Sequence, residues 1–129
     1  MFNTNTDVER AADHAENIAE QAQYAQDHDI SFSEIGQDDL KKISNKVMES
    51  FEASIDAFEN NDLDAVVRTA HLEDQVDEME EDMRETHILR LSSGDCVPQA
   101  GVIFLDVISD LERISDHADN VAGYVKTMI

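Results

Sequence analysis

Residues 8–19, VERAADHAENIA, return near the other end of the chain as LERISDHADNVA at residues 111–122. Glu, Arg, Asp, His, Ala, Asn and Ala stand in register in both copies, and most of the remaining positions exchange like for like. Stretches rich in Ala and Glu, free of Gly and Pro, with apolar positions every three or four residues, form helices. The chain therefore writes one helix twice. The offset is 103 residues, Asp7 onto Asp110, and it sets Met1 against Phe104, in the interior of the second copy's helix. The first helix is accordingly expected to lack its opening turns and to be the last helix of a truncated helical repeat.

Composition agrees with a helical reading. One Pro and four Gly in 129 residues leave few breakers, and a chain of this length supports one hydrophobic core. The expected class is all-α, an antiparallel helix bundle. Thirty acidic residues against nine Lys and Arg give a formal charge of −21, which repels nucleic-acid phosphates and anionic lipid and favours cations as partners. Such a charge also serves plain solubility. Cys96 has no second cysteine to pair with and fits a reducing compartment, so the expected location is cytoplasmic. No apolar run reaches the roughly 20 residues that span a bilayer, so no direct membrane insertion by this chain is expected.

Four helices are predicted, over residues 6–26, 38–59, 63–91 and 98–128. The polar stretch DHDISFSEIGQDD separates the first two, and Asn60, Asn61 and Asp62 make a tight turn in which Asp62 caps the third. Pro98 opens the fourth. On the second helix Leu40, Ile43, Val47, Phe51, Ile55 and Phe58 recur at helical spacing as one buried face. On the fourth, Phe104, Ile108, Leu111, Ser115, Ala118 and Ala122 do the same. Residues 1–30 read as the last helix of the truncated repeat, and residues 31–129 as a complete three-helix repeat.

The chemistry lies on the flanks. Residues four apart on a helix differ by about 40° in direction, so Glu112 and Asp116, with Asp119 beyond, form one carboxylate stripe, and Glu9, Asp13 and Glu16 form its duplicate. On the third helix Val66, Ala70, Glu73, Asp77, Glu80, Arg84, His87 and Leu91 step by four and three as a packed seam does, acidic in its middle. A single Glu-x-x-x-Asp is more often a solvated flank, with Arg10, Arg84 and Arg113 as ion-pair partners. Three such pairs, one of them in a seam, favour cation coordination, because enclosed carboxylates need a counter-charge. Clustered oxygen donors suit Fe³⁺, Mn²⁺ or Mg²⁺, with Zn²⁺ tolerated at lower ligand number.

Those same residues carry a family resemblance. LERISDHADNVA and VERAADHAENIA resemble the motif-bearing helix of the PhoU phosphate-uptake regulator family, which includes the PhoU-like tail of bacterial sodium/phosphate cotransporters, and EDQVD at residues 73–77 resembles the acidic motif on that family's preceding helix. The resemblance implies pseudo-equivalent three-helix bundles, each binding a multinuclear metal cluster, iron among the candidates, and a role in controlling phosphate uptake. It implies that Glu73, Asp77, Glu112 and Asp116 are the metal ligands of one site, and that Glu9 and Asp13 are half of another whose partner helix is absent. It further implies a phosphate transporter, or a membrane domain of the same protein, as the partner, with tethering to the inner face of the membrane.

Among the histidines, His14 and His117 directly follow the motif Asp and turn about 100° from the stripe, which points to an exposed or supporting role rather than ligation. His87 lies on the acidic seam and stays a candidate ligand. His28 and His71 show no pattern, and Met79 and Met83 fall beside Leu72 and Val76 as core. An enzyme is not expected: no His has a Glu three residues before it, as di-iron bundles require, and no Gly-x-Ser-x-Gly, His-Glu-x-x-His or Gly-rich phosphate loop occurs. The competing reading is an acidic helical interaction bundle without metal. Val8, Ala11, Ala12, Ala15, Ile18 and Ala22 give the first helix an apolar face, which either folds back on its own chain or joins a second copy as a homodimer.

Overall fold

The computed structural model describes residues 4–94 and 97–128. Among them lie four α-helices, α1 (Thr4–Asp27), α2 (Glu34–Asn60), α3 (Leu63–Ser92) and α4 (Pro98–Met128), and no strand. The all-α antiparallel bundle expected from the sequence is present. Helices α2, α3 and α4 pack against one another pairwise, whereas α1 packs against α4 alone.

Local chemistry sets the ends. The Asp62 carboxylate accepts hydrogen bonds from the backbone N–H groups of Asp64 and Ala65, at 3.0 and 3.3 Å, and so caps α3. Asn61 supplies the left-handed turn, φ 50°, that closes α2. Helix α2 starts a full turn before the predicted residue 38. Ser33 caps it by accepting from the Gly36 N–H at 3.1 Å, and Gln37 reaches back to the Phe32 carbonyl at 3.0 Å. The polar stretch thus contains a capping serine, and only its first half is a loop. Of the SSGDCVP loop, Asp95 and Cys96 lie outside the described residues.

The core is formed by Ile43 and Val47 of α2, Val76 and Met83 of α3, and Phe104 and Ile108 of α4, with Met79 packed against it. A second cluster, Ala57, Ala65, Val66, Ala122 and Val125, closes the far end. The fourth-helix face is buried as predicted. The second-helix face is rotated from its expected position. Ile55 and Phe58 are exposed, and Ser50, Ala53, Ser54 and Ala57 are buried in their place. Small residues let α2 approach α4 closely, with the Ser50 and Ser115 hydroxyls 3.4 Å apart. The first-helix face is likewise only partly covered. Ala11 is buried and Ile18 half-buried, but Val8, Ala12, Ala15 and Ala22 are exposed, because α1 has α4 as its sole neighbour.

Candidate metal centre

The predicted seam of α3 runs along its border with α4. Glu73 and Asp77, one turn apart, face Asp116 of α4. One carboxylate oxygen from each of the three lies within 4.8 Å of the other two. All three residues are half-buried. Oxygens at such separations can share one hard cation, whose bonds to them are about 2.0–2.6 Å long.

The electrostatics record the crowding. Burial pushes the Glu73 carboxyl up to about 9, assisted by Asp116 and Asp77 beside it. Burial and the same two neighbours push Glu112 up to about 8. Asp119 is also raised, by burial first and then by the charges of Asp116, Asp74 and Asp77. One Asp77 oxygen, Oδ1, is fully enclosed and has no hydrogen-bond partner among the described residues. A buried carboxylate oxygen without a donor is costly, and either a proton held on the raised Glu73 or Glu112 carboxyl or a cation would supply the missing partner. Arg84, the nearest base along the seam, is held by Glu80 through contacts of 3.0–3.2 Å.

Of the six predicted ligands, Glu73, Asp77 and Asp116 come together and Glu112 stands alongside. Glu9 and Asp13 are exposed on α1, which does not approach α3, so no second acidic helix reaches them. Asp119, which the sequence placed on the stripe but outside the ligand set, shares the field of the cluster. His87 is buried with its ring against Phe104, centroids 4.4 Å apart, and burial lowers its pKa. It lies outside the group of convergent acids.

The two motif histidines are half-buried and bond to acids outside the cluster of Glu73, Asp77 and Asp116. His14 Nδ1 lies 2.9 Å from Asp110 Oδ1, and His117 Nδ1 lies 2.8 Å from Asp7 Oδ1. The rings stack between these bonds, centroids 5.8 Å apart. Because Asp7 corresponds to Asp110 and His14 to His117, the two bonds are one bond made twice across an antiparallel, pseudo-twofold helix pair. The repeat extends by one residue to include this pair. The Asp just ahead of each copy pairs with the His of the other. Asn120 and the Tyr124 hydroxyl also donate to Asp7, at 3.2 and 2.8 Å. Burial raises the Asp7 carboxyl, but these hydrogen bonds outweigh it and hold the group below the usual range.

The sequence of α2, α3 and α4 has a family counterpart. The PhoU domain profile matches residues 40–125, about two thirds of the chain. The chain belongs to the PhoU family. The PhoU match takes in every acid of the cluster, Glu73, Asp77, Glu112, Asp116 and Asp119. The phosphate-specific transport system accessory protein PhoU homolog 1 of Thermotoga maritima is 29% identical over 119 residues, covering 92% of this chain and 50% of that protein. The chain thus spans about half the length of this PhoU relative. No solved structure matches.

Proposed function

We propose that this chain is a metal-binding regulatory domain in the control of inorganic phosphate uptake. It acts from the cytoplasmic side on a phosphate transporter, with a sodium/phosphate cotransporter carrying this domain as its tail as the favoured setting. The observation that carries the metal reading is the convergence of Glu73, Asp77 and Asp116 around an enclosed Asp77 oxygen that lacks a donor. The role in phosphate uptake is supported by membership of the PhoU family and by the name of the Thermotoga relative. No helix among the described residues is long and apolar enough to cross a membrane.

Glu73, Asp77 and Asp116 would hold the first ion, with Glu112 and Asp119 within the same field. An oxygen-only donor set suits Fe³⁺, Mn²⁺ or Mg²⁺ before softer ions, with Zn²⁺ admitted. The ion would supply positive charge, neutralising carboxylates that otherwise repel across the border of α3 and α4. A regulatory role follows from that placement, because occupancy changes how firmly α3 and α4 adhere. The chain is therefore read as a sensor rather than an enzyme.

Stripped protein loaded with Mn²⁺, Zn²⁺ or Fe³⁺, desalted and submitted to elemental analysis should retain stoichiometric ion. The Glu112→Ala/Asp116→Ala variant should bind at least about 10-fold more weakly, since each lost ligand removes a charge-assisted contact of more than about 1.4 kcal/mol. Equal retention by the variant, or no ion on the parent, would favour the plain acidic bundle.

A further inference from the structure

The acidic border of α3 and α4 continues beyond the three convergent carboxylates. Gly101 lies against His87 and Leu91, and Asp116 faces Glu73 and Asp77, so the two helices run antiparallel. Climbing α3 from Asp77 through Glu80 to Arg84 therefore means descending α4 from Asp116 through Glu112 to Asp106. Glu80 is the third acid of the α3 seam, about 4.5 Å past Asp77 along the helix axis. Its side chain is only 15% exposed, yet it stands outside the convergent group.

Arg84 accounts for that. Its guanidinium lies across both carboxylate oxygens of Glu80, with Nε 3.2 Å from each and Nη2 3.0 Å from Oε2. It also stands in the field of Asp106 and Glu112 across the border. Glu80, Glu112 and Asp106 thus share one positive charge, as Glu73, Asp77 and Asp116 would share an ion one turn away. The step from Asp77 to Glu80 is close to the about 3.5–4 Å that separates paired ions.

We infer that the Arg84 guanidinium fills a second cation position beside the first, limiting the border to one ion and keeping Glu80 from becoming a ligand. The inference rests on the metal reading of Glu73, Asp77 and Asp116. A guanidinium keeps its charge at any pH at which proteins fold. Being tied to its helix, it is lost neither by deprotonation nor by dilution. Its planar fork engages both Glu80 oxygens at once, which leaves neither free for an ion. A carboxylate as enclosed as Glu80 needs a counter-charge. With Arg84 removed, a cation shared with Glu112 would supply it.

Arg84→Gln tests this. The Arg84 side chain is 38% exposed, and circular dichroism will show that each variant folds. Stripped whole chain is loaded with Mn²⁺ at pH 7, desalted and submitted to elemental analysis. The parent should retain about one ion per chain, and Arg84→Gln about two. Arg84→Lys, which keeps the charge, should match the parent. Glu80→Gln should leave the parent's affinity unchanged, yet abolish the second ion when added to Arg84→Gln. Two Mn²⁺ ions that share carboxylates couple, so Arg84→Gln should also lose the paramagnetic resonance pattern of an isolated ion. A single ion on Arg84→Gln, a second ion that is uncoupled or survives Glu80→Gln, or two ions on the parent or on Arg84→Lys would overturn the inference and leave the metal reading standing. So would an affinity loss of about 10-fold in Glu80→Gln alone, which would make Glu80 a ligand already. No ion on the parent would sink the metal reading, and Arg84→Gln then decides the inference by itself: an ion retained upholds it, none overturns it.

Discussion

Stripped of metal, the protein is expected to melt about 5 °C higher at pH 7 than at pH 9, a shift that about 1–2 kcal/mol produces in a domain of this size. Glu73 and Glu112 are raised by burial and by neighbouring carboxylates to about 9 and about 8. A raised folded-state pKa means that the folded chain holds protons the unfolded chain has released. That stability is complete below the ordinary Glu value near 4.5 and is lost as pH climbs through 8 and 9. The full shifts correspond to a larger energy, but these side chains are only half-buried, and solvent screening reduces it. His87 is lowered by burial, so its contribution is already complete above pH 6.5 and stays flat across this window. Asp7, held low, titrates far beneath it. Glu73→Gln should lift the pH 9 melting point of the metal-free protein and shrink the difference between the two pH values. With ion bound, the same substitution should lower the melting point, and this reversal of sign separates a metal centre from a solvated flank. Circular dichroism melts in chelator and in saturating Mn²⁺ read both. A metal-free melting point that rises from pH 7 to pH 9 would count against the enclosed cluster.

The second large effect belongs to the joint between α1 and α4. Asp7→Ala removes the acceptor shared by His117, Asn120 and Tyr124. It should cost about 3 kcal/mol, since it deletes three hydrogen bonds to a buried, charged acceptor, two of them from half-buried donors. Because α1 touches α4 alone, the loss should appear as local detachment. Amide exchange over α1 should quicken by roughly two orders of magnitude, with α2 and α3 little changed. Asp13→Ala, on the exposed side of the same helix, should stay within about 0.5 kcal/mol. Uniform acceleration over all four helices, or equal effects of the two substitutions, would contradict this account of the joint.

Fold class and helix order were legible because the signals were local. Apolar spacing, the Asp62 cap and Pro98 act within one or two turns and survive any tertiary arrangement. The convergence of Glu73 and Asp77 on Asp116 was legible for a related reason: a carboxylate pair in a packed seam contradicts the period around it, and the repeat marked the stripe opposite. What eluded sequence reasoning was rotational phase and the partner across the gap. Ile55 and Phe58 read as core by hydrophobicity, yet Ser50, Ser54 and Ala57 won the interior because α2 approaches α4 through small side chains. Asp7 lies just before the repeated stretch, and an acid in a first turn suggests only a favourable helix dipole. Its pairing with His117 could have been anticipated from the repeat itself, since a duplicated helix packed antiparallel on its own copy exchanges contacts reciprocally. The apolar face of α1 was legible from its spacing, but whether the chain's own α2 would cover it was not, because the pattern that buries Leu111 and Ala118 on α4 is the same one that leaves Val8 and Ala15 uncovered.

The central claim is that a cation binds at Glu73, Asp77 and Asp116, and proton release measures it most directly. Metal ligands must be deprotonated, and burial beside Asp77 and Asp116 raises Glu73 to about 9 and Glu112 to about 8, so the cluster as a whole is expected to hold about two protons at pH 7. Titrating Mn²⁺ into the stripped protein at pH 7 by calorimetry, in two buffers of different ionisation enthalpy, should show about two protons released per ion bound. Glu73→Gln should release about one. Binding with no proton release, or with the same release in Glu73→Gln, would place the ion elsewhere and contradict the account.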